Sequence, residues 1–296
     1  MEPNWKNPYA DKAGTWLKGN LHCHSTQSDG NMAPPAVAEF YAKKGYDFLS
    51  ITDHRTVTPL AAYAREDLAL LTGVEADFGG RFHMGILAPP GSQPIQDPDE
   101  KDPARQQEVI DRNVAAGNLV VLHHPDWEVA EHYPMERLLA LSGYQGIEVY
   151  NGIIEVMEGS PLSTAKWDRL LAKGRRVLGF ANQDLHRAEN YRDCANLVRA
   201  AEATPAAIFA ALARGNFYAY FGVAITDVGR EGERLFVRTE NAELIRFVGH
   251  GGNVLAKVEG REAEIAFKPG PVWQHVRIEC LGRGEAISFT QPFYRD

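Results

Sequence analysis

Histidine and carboxylate side chains recur in short groups along the first two thirds of this chain. Each group follows or lies beside an apolar run of the length of a β-strand. Imidazoles and carboxylates are the side chains that divalent metals prefer as ligands. Because such ions make hydroxide available at neutral pH, the pattern predicts a hydrolase with a multinuclear metal site. The groups are His22-Cys23-His24 with Asp29, Asp53-His54, Glu75 with His83, His123-His124-Pro125 and Asp184-Leu185-His186.

The first group places two histidines at alternate positions of a strand. Side chains two residues apart on a strand share a face, so His22 and His24 can hold one ion together. Cys23 then points the other way, and we expect it to pack in the wall of the fold. Asp29 follows in the turn Asp29-Gly30, and its place five residues after His24 predicts that it is a further ligand.

The next two groups supply a histidine and carboxylates for another ion. His54 follows the strand Phe48–Thr52 and is predicted to bind a second ion. Asp53 either ligates as well or orients an imidazole by a hydrogen bond, as the partners of ligating histidines commonly do. Glu75 ends a further apolar run, and we assign it a central role as the carboxylate that bridges two ions.

Two consecutive histidines follow the apolar run Leu119–Leu122. Consecutive residues on a strand face opposite sides, so both cannot reach an ion by the same route. We predict that His124, which precedes a proline, is the ligand. His123 keeps two open roles, contact with substrate or donation of a proton.

The last group again has the spacing that places two side chains on one strand face. Asp184 is predicted to bind the same ion as His22 and His24. His186 is predicted to bind the ion near Asp29 and His54. His83 begins its apolar run instead of ending it, so it must reach the site from a neighbouring turn.

Four further polar residues lie near the predicted ligands. Asn151 is a poor metal ligand and is expected to hydrogen-bond substrate or water. Arg55 and Arg187 are expected either to contact a phosphate or to be ordinary surface charges. Glu148 is expected either to be buried and paired or to be functional. Three other histidines are expected to be surface or packing residues: His132, His250 and His275.

Strand-like and helical runs alternate through residue 221, which predicts a parallel sheet in a fold of the α/β class. With about seven strands, we expect a β/α barrel, in which functional groups lie at the carboxyl ends of strands. The predicted strands are Trp16–His22, Phe48–Thr52, Ala69–Thr72, His83–Leu87, Leu119–Leu122, Gly146–Tyr150 and Val177–Ala181. The predicted helices are Pro34–Lys44, Thr58–Glu66, Pro103–Ala116, Met135–Leu141, Thr164–Lys173 and Pro205–Arg214.

The pattern changes after Gly222, where short runs that mostly alternate in polarity are separated by turn-forming or charged residues. This change predicts two domains, a metal-binding barrel over 1–221 and a small antiparallel β-sandwich over 222–296. The strands predicted there are Leu235–Thr239, Leu244–Val248, Ala263–Phe267, His275–Cys280 and Ala286–Thr290.

The composition narrows the possible partners and compartment. The 296 residues carry a formal charge of −8 and no basic run, so a nucleic-acid polymer is not favoured and a small-molecule substrate is expected. The three cysteines fit a reducing compartment. The chain shows neither a signal-peptide core nor an apolar run of membrane-spanning length, so we expect a cytoplasmic protein without a membrane partner.

In their order along the chain, these groups resemble the PHP family, named for polymerase and histidinol phosphatase. The likeness covers roughly residues 16–221 and is specific because order and spacing agree together. The residues that carry it are Leu21-His22-Cys23-His24-Ser25, Ser28-Asp29-Gly30, Ile51-Thr52-Asp53-His54, Gly73-Val74-Glu75, His83, His124-Pro125, Ile147-Glu148-Val149-Tyr150-Asn151 and Asp184-Leu185-His186.

The resemblance implies a distorted seven-stranded β/α barrel of the TIM-like kind, with two or three divalent ions, often zinc, manganese or iron. Many relatives carry a histidine at the position of Asn151, so the second ion would have fewer ligands here. The aspartate at position 29 replaces a histidine of some relatives and favours harder ions. The implied ligand sets are His22, His24, Glu75 and Asp184 for one ion, Glu75, His83 and His124 for a second, and Asp29, His54 and His186 for a third.

Three functions are compatible with these predictions. The first is a phosphoesterase, in which a metal-bound hydroxide attacks a small phosphate ester in line. The second keeps the site but hydrolyses a carboxyl ester, a carbamate or an amide. The segments Trp16–His22 and Gly45–Phe48 resemble those of a PHP subgroup that has a C-terminal sandwich and includes carbamate hydrolases. The third is a non-catalytic metal-binding interaction module. Cationic side chains near the metals would favour the phosphoesterase, and an apolar cavity would favour the second function.

Overall fold

The computed structural model describes residues 3–97, 102–127 and 132–295 of the chain. Within these residues the fold is of the mixed α/β class, as predicted. The helices are α1 Pro34–Lys43, α2 Gln106–Ala115, α3 Met135–Ala140, α4 Thr164–Ala172 and α5 Pro205–Arg214. The strands are β1 Thr15–Asn20, β2 Phe48–Leu49, β3 Ala69–Leu70, β4 Thr72–Ala76, β5 Met84–Ala88, β6 Leu119–Leu122, β7 Gly146–Asn151, β8 Leu178–Asn182, β9 Cys194–Ala200, β10 Phe217–Phe221, β11 Ile225–Glu231, β12 Arg234–Thr239, β13 Leu244–Val248, β14 Val254–Glu259, β15 Glu262–Ala266, β16 His275–Leu281, β17 Ile287–Thr290 and β18 Phe293–Tyr294.

Five of the six predicted helices are present, and α5 shows why they could be recognised. The hydroxyl of Thr204 accepts a hydrogen bond from the Ala207 amide, and Pro205 occupies the first turn. The helix stops at Gly215, which has a φ of 79°. That left-handed conformation is one that glycine adopts without steric cost.

The predicted helix over Thr58–Glu66 was wrong. Only a single 3₁₀ turn, Leu60–Ala62, forms there. The chain must then turn back at once, because Arg65 and Leu68 form an antiparallel bridge and β3 pairs with β2. Tertiary pairing therefore overrides the local preference for helix.

The strands of the first part form two hydrogen-bonded sheets and do not close into a single continuous ladder. One has the order β4-β5-β6-β7-β8, while β1, β2 and β3 belong to a ten-stranded sheet. Two isolated parallel bridges, Cys23 to Leu185 and His54 to Glu75, connect the sheets where the strands end. Among the described residues, the strand hydrogen bonds therefore do not form a closed TIM-like barrel.

The predicted all-parallel arrangement was wrong for β4, β5 and β6. These strands pair antiparallel, with Ala76 opposite Met84, whereas β6, β7 and β8 are parallel. The segment between β4 and β5 is too short for the helical crossover that parallel neighbours require. As a result, the start of β5 lies beside the end of β4, which brings His83 to the same edge as Glu75.

Two strands that we did not predict, β9 and β10, extend the ten-stranded sheet toward the C-terminal part of the chain. Antiparallel pairs join β1 to β9, β9 to β10 and β10 to β17, with Tyr218 opposite Thr290. The sheet therefore continues across the predicted boundary between residues 221 and 222. The division into two domains stays a prediction.

All five strands predicted after Gly222 are present, together with β11, β14 and β18. They form antiparallel pairs in two sheets, one of which is β11-β12-β15. Side chains of both sheets share one apolar cluster, for example Val237 with Ile245 and Ile278. This is the packing expected of a sandwich. None of the helices within the described residues is long and apolar enough to cross a membrane.

Candidate metal centre

The histidines and carboxylates of the predicted groups meet where strands of both sheets end. His22 and His24 follow β1, Glu75 lies within β4, and Asp184 follows β8. All four side chains are buried, with at most 4% of any residue exposed. Distant parts of the chain thus converge on one locus, as the sequence predicted.

Three donors of this locus, with Glu75 beside them, are spaced like the ligands of one ion. Nε2 of His22 lies 3.3 Å from Nε2 of His24. These two nitrogens lie 3.2 and 3.0 Å from Oδ1 of Asp184, and 3.1 and 3.3 Å from the oxygens of Glu75. Ligands about 2.1 Å from a tetrahedral ion stand about 3.4 Å apart. His22, His24 and Asp184 therefore form a group that could hold a divalent ion, and Glu75 faces both imidazoles of that group.

Glu75 also faces a second group of imidazoles, as a bridging carboxylate would. Its oxygens lie 3.4 Å from Nδ1 of His83, 3.5 Å from Nε2 of His124 and 3.3 Å from Nδ1 of His54. Burial alone would raise the pKa of Glu75, but the imidazoles of His22, His83 and His54 hold that pKa well below its usual range. The carboxylate is consequently ionised and available to metals.

A third set of donors lies at the outer edge of the locus. Oδ2 of Asp29 is 3.5 Å from Nε2 of His54 and 3.3 Å from Nε2 of His186. Burial would lower the pKa of both histidines. The carboxylates of Glu75 and Asp29 instead raise the pKa of His54 to about 11, and those of Asp29 and Asp184 raise the pKa of His186 to about 9. A metal at this set would replace the protons that the histidines hold.

The backbone is strained at two of these donors. His124 and Asp184 have φ values of 28° and 52°, in the left-handed region that residues with a side chain rarely adopt. Both follow the last residue of a strand, so the alternation of faces no longer applies to them. For this reason His123 and His124 both reach Glu75, contrary to the prediction that they face opposite sides.

His123 lies behind Glu75 and outside the wall of the cavity described below. Its Nδ1 is 2.7 Å from Oε1 of Glu75, and its ring stacks on His22 with 3.7 Å between centroids. Burial and the neighbouring His22 lower the pKa of His123 to about 4. This placement suits a residue that positions Glu75, and it does not support contact with substrate.

The other residues predicted to meet substrate also lie outside the cavity wall. Arg55 is half exposed, and its Nε lies 3.3 Å from Asp77. Arg187 is exposed. Asn151 is buried and donates hydrogen bonds to Glu148 and Asp184, at 2.8 and 3.4 Å. Of the two roles left open for Arg187, a surface charge fits, whereas Asn151 supports two carboxylates and its bond to substrate or water stays a prediction.

Glu148 is buried and paired, one of the two alternatives left open by its sequence position. Its Oε1 lies 2.8 Å from Nδ1 of His22 and accepts a hydrogen bond from Asn182. Its Oε2 accepts one from the His124 amide at 2.7 Å. Burial would raise the pKa of Glu148, but His123 and His22 lower it to about 2. The carboxylate therefore orients His22 with Nε2 toward the metal locus.

Asp53 has neither of the two roles that we considered for it. Its carboxylate accepts hydrogen bonds from the Ser25 amide and hydroxyl, from Ser28 and from Thr58. These contacts tie the loop after His24 to the end of the β2 region. Asp53 thus stabilises the loop that carries Asp29.

His132 is a member of the cluster that sequence reasoning missed. It was expected to be a surface or packing residue, but it is fully buried, and its ring centroid lies 4.9 Å from those of both His83 and His124. Its Nε2 accepts a hydrogen bond from the His83 amide at 3.1 Å. No strand ends at position 132, so no local signal marked it. His275 is buried in the C-terminal part, in line with packing.

A cavity of about 430 Å³ opens onto this centre. On one side it meets predicted ligands, including Asp29, His54 and His186, and on the other side it meets Trp127, Ile153, Ile154, Val156 and Met157. Among the described residues that line it, none is a lysine or an arginine. The cavity therefore combines metal-binding groups with an apolar wall.

Comparison with known proteins supports the fold. No family model matches the chain. Over 38 residues, 13% of the chain, it is 53% identical to the DNA polymerase/3'-5' exonuclease PolX of Bacillus subtilis, a match that spans only 7% of that protein. A two-domain protein of Bacteroides vulgatus that contains a predicted PHP-like metal-dependent phosphoesterase is similar over 94% of this chain and 95% of its own, with 19% identity and a TM-score of 0.52.

A weaker likeness, with a TM-score of 0.42, links 58% of the chain to 89% of an amidohydrolase of Chromobacterium violaceum at 19% identity. At these identities a shared structure speaks for the fold alone. The predicted resemblance to the PHP family is confirmed at that level.

Proposed function

We propose that this chain, which has the fold of a PHP-like protein, is a metal-dependent hydrolase of small esters. The observation that carries the proposal is that the imidazoles of His22 and His24 lie 3.0 to 3.3 Å from each other and from carboxylate oxygens of Asp184 and Glu75. Buried imidazoles and carboxylates at such spacing are the chemistry of a borderline divalent ion.

The proposal assigns two or three ions, zinc, manganese or iron, to the sets already described. Glu75 would bridge the first set to His83 and His124, and the third set would be Asp29, His54 and His186. Within the described residues, Nδ1 of His54 and Oδ1 of Asp184 face other donors of these sets and are buried without hydrogen-bond partners. When bound, ions at these sets would supply Lewis acidity and lower the pKa of a water molecule.

The chain's own residues would hold this centre in one geometry. Glu148 would accept a hydrogen bond from the protonated Nδ1 of His22, which leaves Nε2 as the nitrogen that can bind an ion. His123 fixes one oxygen of Glu75, and Asp53 fixes the loop that presents Asp29. The apolar wall of the cavity would exclude water from the rest of a bound substrate, which strengthens electrostatic interactions inside the cavity.

A phosphate ester is the first candidate substrate. The family resemblance favours it, and metal ions can neutralise phosphoryl oxygens without help from arginine or lysine. A carboxyl ester, a carbamate or an amide is the second candidate. It is favoured by the wall of Trp127, Ile153 and Met157 and by the exposed or paired state of Arg187 and Arg55.

A metal-binding module without catalysis is the least favoured alternative, because the nearly complete set of predicted ligands surrounds a cavity that can hold a substrate. We also propose that the strands of residues 1–221 make up a distorted barrel. The bridges from Cys23 to Leu185 and from His54 to Glu75 support this description. Residues 222–296 would then be the second domain.

A substrate panel with one common leaving group tests the reaction. The metal-free protein is supplied separately with Mn²⁺, Zn²⁺ or Fe²⁺ and assayed with p-nitrophenyl phosphate, bis(p-nitrophenyl) phosphate, p-nitrophenyl acetate and p-nitrophenyl N-methylcarbamate. We expect metal-dependent release of nitrophenol from at least one substrate, and the highest kcat/KM identifies the bond. A protein that binds no divalent ion under any of these conditions would refute the proposal, and one that binds metal but hydrolyses none of the substrates would favour the module.

A further inference from the structure

Exposed apolar side chains are concentrated beside the mouth of the candidate site. Of the five large apolar residues exposed in the described parts of the chain, three lie close together in sequence: Val156, Met157 and Leu162, with 53, 41 and 38% of their surface accessible. Isolated apolar residues are common on protein surfaces, but a group of them beside a cavity indicates a binding surface.

A second cavity adjoins the cavity at the metal centre. The second cavity has a volume of about 560 Å³, and Ile154 and Met157 line both. Beyond this shared edge its wall includes Tyr150, Leu162 and Phe221. We call the second cavity the apolar groove. It lies between the segment after β7 and the turn that joins β16 to β17.

The groove has a rigid wall. Tyr150 and Phe221 stack with 4.3 Å between ring centroids and 22° between ring planes. The hydroxyl of Tyr150 donates to Glu155, whose carboxylate also pairs with Arg192. A bridge between Tyr150 and Leu162 holds the segment that returns past the groove. The surface is therefore formed before any ligand binds, which lowers the entropic cost of binding.

The charges of the groove limit what it can accept. Among the described residues that line it, the carboxyl side chains are Glu155 and Glu285, and none is a lysine or an arginine. Glu155 is paired with Arg192, whereas Glu285 is exposed and would repel a ligand that ends in a carboxylate. A neutral apolar group would meet aromatic and aliphatic side chains instead.

We propose that the substrate carries a neutral, extended apolar group that runs from the metal centre across Ile154 and Met157 into the apolar groove. This inference rests on the proposed hydrolase function, because the reacting ester would lie at the metals. The two cavities adjoin at Ile154 and Met157, which favours a substrate group as the occupant.

The length of that apolar group should control the rate. Burying one methylene contributes about 0.8 kcal/mol, which corresponds to about a fourfold gain in binding. In a series of p-nitrophenyl esters or alkyl phosphate esters that differ only in chain length, we expect kcat/KM to rise by up to about fourfold per methylene until the groove is filled. An ω-carboxylate on the longest member should remove most of this gain.

Leu162→Ser tests the groove, because Leu162 lines it but does not line the cavity at the metals. In this variant the ratio of kcat/KM for the longest and shortest members should fall at least tenfold. Val272→Ser is the matched control, since Val272 is equally exposed, at 38%, and lies in the C-terminal part. Its ratio should equal that of the unaltered protein. Circular dichroism and thermal unfolding confirm that both variants are folded.

The outcomes separate the two proposals. An active enzyme whose rate does not depend on chain length would overturn the inference and leave the hydrolase standing. A fully metal-loaded protein that hydrolyses no member of the series would overturn both. Sedimentation of the same variants tests a second copy of the chain as the occupant. A dimer that dissociates in Leu162→Ser, with an unchanged length dependence, would also refute the inference.

Discussion

At the scale of single residues, Glu75 is the point on which the donor sets converge. It lies within 3.5 Å of imidazole nitrogens of His22, His54, His83 and His124. Residues that are not predicted ligands hold these ligands in turn, as Glu148 does for His22. Metal binding should therefore depend both on the donors and on their hydrogen-bonded partners.

Asp184→Asn should remove the anionic donor shared by His22 and His24. Because an amide is a poor ligand, we expect the loss of one divalent ion per chain and a drop in turnover of at least 100-fold, with the fold retained. Elemental analysis after dialysis, together with kcat, provides the measurement, and His24→Ala should behave in the same way. Asp193→Asn, at a partly exposed ion pair with Lys18, is the control. Normal metal content in both Asp184→Asn and His24→Ala would contradict the first set.

Glu148→Gln should weaken metal binding without removing a ligand. The neutral amide loses the charge that keeps Nδ1 of His22 protonated and its Nε2 basic. A loss of ten- to a hundredfold in metal affinity is typical when such a partner is replaced. Competition titration with a chromophoric chelator measures this loss. An unchanged affinity would mean that Glu148 only fills space beside His22.

At the scale of elements, the site depends on how strands end. The hairpin of β4 and β5 places Glu75 and His83 at one edge, and Asp184 lies shortly after the last residue of β8.

Elsewhere, a buried guanidinium connects α4 to the C-terminal sheet. Nε and Nη2 of Arg277 in β16 each lie 2.8 Å from an oxygen of Asp168, and Nη1 lies 2.6 Å from Glu279.

Arg277→Met should destabilise the protein strongly, because it leaves Asp168 without its buried partner. Breaking such a pair typically costs about 3–5 kcal/mol. Urea unfolding measures the difference. Arg238→Met is the matched control, since Arg238 is 56% exposed and pairs with Asp227 and Glu262 at 3.5 to 3.6 Å. We expect less than about 1 kcal/mol for the control, and a similar small effect for both variants would argue against a buried clamp.

At the scale of the whole molecule, the metal centre joins the two sheets. His22 and His24 follow a strand of the ten-stranded sheet, while Glu75 and Asp184 belong to the five-stranded sheet or follow its last strand. An ion held by all four side chains would cross-link them. In a metal-free chain, the same buried carboxylates have only protonated imidazoles to balance their charge.

Metal should therefore stabilise the entire chain. An ion present at 100 times its Kd adds about 2.7 kcal/mol to the free energy of unfolding. For a chain of this size that corresponds to a rise of about 4 °C in Tm. Calorimetry with EDTA and then with added Zn²⁺ or Mn²⁺ measures the shift. The same additions should shift Asp184→Asn by less, and an equal shift would place the stabilising ion elsewhere.

The sequence by itself determined the kinds of donor and most of their positions. The groups around His22, His54, Glu75 and Asp184 could be recognised because each stands at the end of a short apolar run, which is a local pattern. In α5 the caps Thr204 and Gly215 are likewise local features of the sequence. The structure brings all nine predicted metal ligands to one locus, although their roles remain predictions.

Only the tertiary structure decided the partners of these residues. Asp53 bonds to a serine loop, Glu148 to His22, and His132 to the amide of His83, all across long gaps in sequence. Because the backbone at His124 is left-handed, the alternation of strand faces did not predict the direction of its side chain. Antiparallel pairing of β4 and β5 placed His83 beside Glu75. A buried polar group needs a hydrogen-bond partner, because the protein interior has a low dielectric constant. Which distant groups are buried together is decided by the tertiary structure, so a local sequence pattern does not specify these pairs.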